Sequence, residues 1–471
     1  MPLILGTNSI KDTGYNVANS ANFESANSQA LSKDYSGTHS DTNQGTWSMW
    51  IKRAKLATRM KIFGAYIDGN QSGQNLEFQA NDTLRYRAGS GSSDINITDA
   101  VYRDPSAWYH IVVQQDSDAS GASNQVKIWV NNTLQTLSTN NGAPGIIQFG
   151  HADAAANSII GAEESAGNST YFDGYMAEFA YCDGQKLDPT SFGEYDEDSP
   201  TIWKPKDLSG LTFGSQGVWL DFETSGTMGN DVSGNNNDFA TEDNAVEQTT
   251  DTPTNNFCTM NPLDNYYAGS TFSEGNNKVV TAASPSGYNV STIGLSAGKW
   301  YWEVEADSFS TGNDYCQIGI SGSPGASTSI QWLGYNPYDW AMSNDSVLYN
   351  DETELDQSYS SAMSAGDIVG IALNLDDNEI KFYINGTVQN SGNATSITAA
   401  ASTTLGAYFA AASDFSGSGA NLVTTKWNFG ASYPAAISSG NADENGYGNF
   451  EYAPPSGFLA VCTKNLGSDG G

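Results

Sequence analysis

Residues 125–135, QVKIWVNNTLQ, and residues 379–389, EIKFYINGTVQ, read almost the same although they lie in different halves of the chain. The lysine, the first asparagine, the threonine and the last glutamine are identical, and most other positions exchange like for like. In each copy the inward-facing apolar residues recur at every second position, which is typical of a half-buried strand. Each alternation ends at Asn-Asn-Thr or Asn-Gly-Thr, where two consecutive residues can adopt positive φ in a type I′ turn. The sequence therefore predicts the same β-hairpin twice, each within its own all-β unit.

The composition favours β-sheet domains. A chain of 471 residues is too long for one β core, so two or three domains are expected. The 49 glycines and a charged fraction of only 15% favour short strands joined by turns over helices.

The formal net charge is -34, which makes nucleic acid an unexpected partner because no basic surface is available to neutralise phosphates. No stretch approaches about 20 apolar residues, so we expect no membrane insertion. The first residues lack the basic segment and the long apolar run of a signal peptide, and synthesis in a cytoplasm is expected.

The order of apolar stretches in the first half is distinctive. They are TWSMWIKR (46–53), WYHIVVQQD (108–116), VKIWVNN (126–132), IIGA (159–162) and FDGYMAEFAYCDG (172–184). The second stretch is apolar on both faces and is predicted to be a central strand. The succession resembles the laminin G-like group of concanavalin A-like proteins. That resemblance implies a jelly roll of two antiparallel sheets over residues 15–205.

A second succession occupies the other half. It runs KWYWEVE (299–305), CQIGI (316–320), GDIVGIALNLDDNEIKFYINGT (366–387) and WNFG (427–430), with a further strand predicted at 405–409. It resembles a SPRY domain over residues 266–435. SPRY is also a concanavalin A-like sandwich, which would explain the repeated hairpin.

Three segments complete the expected organisation. Residues 1–14 are predicted to form an extended N-terminal arm, residues 206–265 a connector, and residues 436–471 an extended C-terminal tail. Within the connector, residues 218–239 could open a domain or supply a last strand to the first sandwich. The predicted fold class is thus all-β, with two concanavalin A-like antiparallel β-sandwiches in tandem.

The pairing of the two domains resembles virion surface and tail-fibre proteins of tailed bacteriophages of marine bacteria. The resemblance implies a structural virion protein, assembled in the host cytoplasm, that contacts other virion proteins and binds a host-cell glycan or protein without turnover. A homo-oligomer, a trimer by expectation, would be present. A capsid decoration or head-fibre protein is the first alternative, and a glycan-degrading depolymerase is the second.

Two patterns of catalytic residues argue weakly for an enzyme. Residues 294–298 fit G-x-S-x-G, but that motif needs a helix after the serine, and here a strand is predicted to follow. Glu303 and Glu305 share one strand face, as a glycosidase pair could, yet carboxylates of this kind usually face solvent. We therefore predict no catalytic residues.

A calcium site is a further possibility. Asp116 and Asp118 begin a loop with oxygen ligands at alternate positions, but the position of the final bidentate glutamate is taken by Lys127. Because the resemblance to laminin G-like domains implies calcium at a loop rim, Asp173 joins these two as a candidate ligand. The simpler interpretation is a polar hairpin loop.

Residues 331–340, QWLGYNPYDW, combine aromatic rings with short polar side chains in a turn-rich stretch. Rings that stack on sugar C–H faces beside side chains that bind hydroxyls are typical of carbohydrate sites, and SPRY domains bind partners through loops at one end. The alternative is that the tryptophans fill the core. The predicted ligand contacts are Trp332, Tyr335, Asn336, Tyr338, Asp339 and Trp340.

Overall fold

A computed structural model describes residues 14–65, 73–88, 94–143, 145–151, 157–162, 170–197, 199–265, 269–281, 287–309, 314–325, 332–416, 422–431 and 437–469. The predicted N-terminal arm lies almost entirely outside these residues. The described residues form two compact units, one ending at residue 255 and the other beginning at residue 256. Among them, no helix is both long enough and apolar enough to cross a membrane.

The first unit is built from short strands connected mainly by turns. In chain order they are β1 Ser20–Phe23, β2 Ala30–Asp34, β3 Gln44–Arg53, β4 Met60–Ala65, β5 Gln74–Phe78, β6 Thr83–Arg87, β7 Ile95–Val101, β8 Trp108–Asp116, β9 Val126–Val130, β10 Thr133–Leu134, β11 Leu137–Asn140, β12 Asn157–Ile160, β13 Gly174–Asp183, β14 Gly193–Tyr195, β15 Trp203–Pro205, β16 Val218–Leu220, β17 Ala240–Glu242 and β18 Glu247–Thr249. Helix α1 (Ala122–Gln125) and two 3-10 turns, Ser25–Asn27 and Pro189–Ser191, interrupt them.

Two antiparallel sheets enclose the core of this unit. One has the order β10-β9-β8-β3-β13-β1-β18 with β16 added to β13, and the other has the order β11-β7-β6-β5-β4-β12-β2-β17. Trp47 of the first sheet stacks between Tyr181 (4.9 Å) and Phe63 of the second sheet (5.5 Å). As predicted from its two apolar faces, β8 lies inside its sheet, between β9 and β3.

The connector belongs largely to the first sandwich. Strand β16 pairs with β13, β17 pairs with β2, and β18 pairs with β1. Residues 218–239 therefore supply a last strand to the first unit and do not open a new domain. Sequence could not decide this, because the pairing joins segments that are distant along the chain.

The second unit repeats the architecture. Its strands are β19 Thr271–Ser273, β20 Lys278–Val280, β21 Tyr288–Val290, β22 Lys299–Ser308, β23 Asp314–Ser321, β24 Asp339–Ser343, β25 Leu348–Asn350, β26 Thr353–Asp356, β27 Ile368–Asn374, β28 Glu379–Ile384, β29 Thr387–Val388, β30 Thr395–Ser396, β31 Phe409–Ser416, β32 Thr424–Asn428 and β33 Leu459–Ala460. Helix α2 spans Thr463–Asp469, and 3-10 turns lie at Asn390–Gly392 and Ala400–Ser402.

Its two sheets have the orders β19-β20-β32-β22-β27-β28-β29 and β21-β31-β23-β24-β25-β26, with β30 on β28 and β33 on β22. Trp300 and Trp302 of the first sheet and Ile318 and Met342 of the second are buried in one core. The strand predicted at residues 405–409 is displaced, because Gly406 adopts φ +70° in a turn and β31 begins only at Phe409.

The C-terminal segment differs from the predicted extended tail. Strand β33 pairs in parallel with β22, and the chain then forms α2. The Glu303 carboxylate of β22 accepts hydrogen bonds from the backbone N–H groups of Glu451 (2.9 Å) and Tyr452 (2.8 Å). A buried carboxylate thus holds this segment against the sandwich.

The repeated hairpin is present in both units with the predicted turn. Asn131 and Asn132 have φ of 47° and 59°, and Asn385 and Gly386 have φ of 48° and 74°. Two consecutive positive φ values are the signature of a type I′ turn. The flanking residues pair directly across each hairpin.

The two asparagines also make the same contacts. Asn131 Oδ1 accepts a hydrogen bond from the N–H of His110 (2.8 Å), and Asn385 Oδ1 accepts one from the N–H of Ile368 (2.9 Å). In return, each asparagine N–H donates to the carbonyl of the same partner residue. The turn of each hairpin is therefore tied to the start of the neighbouring strand, β8 or β27.

Asn131→Ala should lower the free energy of unfolding by about 1–3 kcal/mol, because the N–H of His110 loses its acceptor and alanine tolerates positive φ poorly. Asn132→Gly is the matched control. It should stay within about 0.5 kcal/mol of the wild type, since glycine occupies that turn position in the other copy. Urea unfolding followed by circular dichroism measures both, and equal effects would contradict the role given to the Asn131 side chain.

Candidate ligand-binding site

The predicted aromatic stretch divides between two faces of the six-stranded sheet. Trp340 on β24 is only 8% exposed and lies in the sandwich core. Leu333 packs on the opposite, outer face of the sheet beside Ala341 and Phe409. The segment that precedes β24 thus folds back over the outer face, with Leu333 as its apolar anchor.

A tight turn shapes this segment. The N–H of Tyr335 donates to the carbonyl of Trp332 (3.0 Å), and Gly334 between them adopts φ +104°. A Cβ atom on Gly334 would lie 2.7 Å from Cβ of Tyr349 and 3.0 Å from the Trp332 ring. Only glycine lets the two aromatic side chains approach each other here.

Three half-buried rings meet at this turn. Trp332 lies edge-on to Tyr335 (centroids 6.2 Å apart, 82°) and to Tyr349 of β25 (5.1 Å, 81°). We call Trp332, Tyr335 and Tyr349 the aromatic triad. Sequence analysis found the first two and missed Tyr349, because the contact joins the loop to a strand that follows later.

Carboxylates border the triad. The neighbouring Glu352 carboxylate raises the pKa of Tyr335. The Tyr349 hydroxyl donates to Asp345 (3.4 Å). Glu354 on β26 stands directly opposite Tyr349 in the antiparallel pair, so their side chains share one face of the sheet. Burial, followed by the charges of Asp345 and Glu354, raises the pKa of Tyr349.

The other residues predicted to contact a ligand make contacts inside the domain that support this loop. Asp339 is fully buried and accepts hydrogen bonds from Asn336 Nδ2 (2.8 Å) and the Tyr288 hydroxyl (3.3 Å). Burial raises the pKa of Asp339 to about 6. Tyr338 packs against the core. Trp340 and Asp339 therefore face the interior, and ligand contact by these two residues, Asn336 and Tyr338 stays a prediction.

The three predicted calcium ligands do not converge. Asp116 pairs with Gln44 at one end of β3, whereas Asp173 precedes Gly174, which pairs with Arg53 at the other end. A strand rises about 3.3 Å per residue, so the two ends of β3 lie about 30 Å apart.

The donor set does not fit calcium at either end. Asp116 Oδ2 lies 2.8 Å from Lys186 Nζ, and Asp173 Oδ2 lies 2.7 Å from Lys55 Nζ. Asp118 is exposed and accepts a hydrogen bond from an asparagine amide. Across the described ranges no three His, Cys, Asp or Glu side chains are grouped so that they could hold a metal ion. The structure therefore does not bring the three carboxylates together into one site.

The acidic pair on β22 is already engaged in structural contacts. Glu303 is fully buried and binds backbone N–H groups of the C-terminal segment, so the expectation of a solvent-facing side chain is wrong for it. Glu305 Oε1 lies 3.1 Å from Lys426 Nζ. The G-x-S-x-G stretch is followed by β22, beginning at Lys299, and not by a helix, as predicted.

Glu178, in the most specific stretch of the first domain, is a second buried acid. It adopts φ +51° at a bulge in β13, where the pairing with β3 shifts register. Its carboxylate accepts hydrogen bonds from Trp219 Nε1 (2.8 Å) and the Tyr15 hydroxyl (3.2 Å). Burial raises the pKa of Glu178 to about 8. It packs the connector strand β16 against β13.

Trp340→Ala should lower the free energy of unfolding by about 3–5 kcal/mol because it leaves a cavity in the core. Trp332→Ala, which removes a half-buried ring from the outer face, should cost less than about 1.5 kcal/mol. Thermal and urea unfolding of both variants test this division. Similar losses of stability would show that the two tryptophans are equally structural.

The raised pKa of Glu178 predicts a pH-dependent stability. Below pH 4.5 the carboxyl is protonated in both folded and unfolded chains and its stabilising contribution is complete. That contribution is lost as the pH rises toward the folded-state pKa of about 8, with a slope of up to about 1.4 kcal/mol per pH unit. Relative to Glu178→Gln, the wild type should lose stability between pH 5 and pH 8 in urea titrations. A constant difference would contradict the assignment.

Two family models match the chain. The SPRY domain model matches residues 299–424, and a model described as the concanavalin A-like lectin/glucanases superfamily matches residues 24–186. No curated protein matches the chain as a relative.

Several solved structures are similar to parts of this chain. The SPRY domain of human HERC1 shares 17% identity with a TM-score of 0.29, covering 36% of this chain and 96% of that one. A heptameric pentraxin from Limulus polyphemus shares 14% identity with a TM-score of 0.29, covering 37% and 80%. A putative carbohydrate-binding protein from Bacteroides ovatus shares 14% identity with a TM-score of 0.36, covering 50% and 60%. By the two family matches, this chain contains a laminin G-like, concanavalin A-like domain followed by a SPRY domain.

Proposed function

We propose that this protein is a non-catalytic binding component of a bacteriophage virion, a tail fibre or surface fibre, that recognises a host-cell glycan or protein through the aromatic triad. The observation that carries the proposal is the presentation of three half-buried rings on the outer face of a sheet whose inner face is fixed in a sandwich core. Rings held in this way lose little conformational freedom on binding, which favours recognition.

The two acids that the sequence suggested as a glycosidase pair are engaged in other contacts. Glu303 is consumed by backbone hydrogen bonds, and Glu305 is paired with a lysine. Neither is presented beside the triad as a general acid or base would have to be. The proposal is therefore recognition without turnover.

The virion assignment rests on the resemblance of the tandem domains to phage surface proteins. A shallow three-ring surface gives weak single contacts, and several copies on one particle would convert these into stable attachment. A cyclic homo-oligomer, by expectation a trimer anchored to other virion proteins, would supply those copies.

Trp332→Ala and Tyr349→Ala should each abolish binding to the ligand-bearing host surface while the protein stays folded, because each removes one wall of the triad. The matched control is Tyr195→Ala in the first domain. Tyr195 is also an exposed ring edge-on to a tryptophan, Trp203, at 5.0 Å, and its loss should leave binding unchanged. Labelled protein applied to an array of bacterial surface glycans and to intact cells provides the measurement.

Three outcomes would overturn parts of the proposal. Retained binding by both triad variants would move the site elsewhere. Reducing ends released from host polysaccharide in proportion to the protein added would make it a depolymerase. Antibody labelling of particles in electron micrographs that marked the capsid would favour a decoration protein over a tail fibre.

A further inference from the structure

The surroundings of the aromatic triad are strongly and uniformly acidic. No lysine, arginine or histidine occurs between Lys299 and Lys381, the span that includes the whole triad. Within that span the β25–β26 hairpin concentrates exposed carboxylates, namely Asp351, Glu352, Glu354 and Asp356, and exposed Asp345 lies in the turn that precedes β25. The acidity is thus local to the site as well as general to the chain.

These carboxylates are placed against the rings themselves. The N–H of Glu352 donates to the carbonyl of Gly334 (3.0 Å), which fixes Glu352 beside the turn that carries Tyr335. Glu354 is the cross-strand neighbour of Tyr349. Each tyrosine ring therefore has an acidic neighbour that is positioned by the backbone.

The rings have the mutual orientation that suits a cation. Both tyrosines are nearly perpendicular to Trp332, at 82° and 81°. Perpendicular rings present a ring face to the corner between them, and the faces carry the negative part of the aromatic quadrupole. Aromatic corners with nearby carboxylates are how proteins bind quaternary and primary ammonium groups.

We propose that the aromatic triad binds an organic ammonium group, with Glu352 and Glu354 supplying the opposing charge. This inference rests on the proposed function and names the chemistry of its ligand. A neutral sugar could donate its hydroxyls to these carboxylates, but an ammonium group gains their full charge and the attraction of the ring faces as well. A metal ion would need a convergent group of oxygen ligands, and the described residues contain none.

The test compares charged probes with neutral analogues of the same shape. In a proton NMR titration of the full-length protein, choline should bind about threefold to fivefold more tightly than 3,3-dimethylbutan-1-ol, its uncharged carbon analogue. The preference should shrink as salt is raised, because the carboxylates are exposed. Equal affinities would overturn the inference.

Further arms identify the source of the ammonium group. N-acetyl-lysine-N-methylamide represents a protein side chain and is compared with the same molecule acetylated on Nε. Glucosamine represents an amino sugar and is compared with N-acetylglucosamine. The pair with the largest difference identifies the class of natural ligand, and no difference in any pair would contradict the inference.

The variants separate charge from stacking. Glu352→Gln combined with Glu354→Gln should reduce the preference for choline over the neutral analogue and leave the binding of the analogue unchanged, because the ring faces still attract the cation. Trp332→Ala should weaken both probes. Tyr195→Ala is again the control, since its ring pair stands beside Lys204, which is paired with Asp196, and choline binding should not change.

The two proposals fail in different ways. If the triad variants lose binding to the host surface while choline shows no advantage over its analogue, the inference is wrong and the proposed function stands. If choline binds with the expected preference but the triad variants still bind the host surface, the ammonium site is real and recognition of the host lies elsewhere.

Discussion

Both domains depend on the register between the repeated hairpin and the strand beside it. Side chains alternate between the two faces of a strand, so a shift of one residue would turn every core residue outward. Asn131 and Asn385 oppose such a shift, because each holds its turn at positive φ and exchanges two hydrogen bonds with one residue of the neighbouring strand, His110 or Ile368. Three consecutive strands are thereby fixed in each unit, and the sheets are completed around them.

The acidic residues of this chain have two distinct roles that burial separates. Glu178 and Glu303 lie in the interior, where each accepts several hydrogen bonds that attach a late segment of the chain to its sandwich. A buried acceptor is tolerated only when it is satisfied in this way. The exposed carboxylates of the β25–β26 hairpin do not attach a segment of the chain to the sandwich. They make the surface beside the aromatic triad negatively charged. The location of these carboxylates therefore indicates more about function than the net charge of the whole chain does.

Sequence was sufficient for features that a short segment determines. The I′ turns and the central strand β8 follow from local alternation and from residues that tolerate positive φ. Features that join distant segments of the chain could not be predicted from the sequence. Trp332 and Trp340 occur in the same kind of sequence, and only the pairing of β24 with β23 decides which of them faces the core. Tyr349 completes the triad through a contact between two separate elements, and no local pattern indicates it.

The position of the triad near a sheet edge gives its carboxylates a second consequence. In the part of the second unit that the structure describes, β26 is the outermost strand of its sheet, and Leu355 on it is 47% exposed. An open edge with an apolar residue favours pairing with another chain, and flanking charges oppose it. Glu354 and Asp356 flank Leu355 directly. Glu354 thus opposes pairing at this edge and also lies opposite Tyr349. The charge that would attract a small cation would repel a second acidic copy of this chain. Any oligomer of this protein should therefore form through a surface other than the β26 edge.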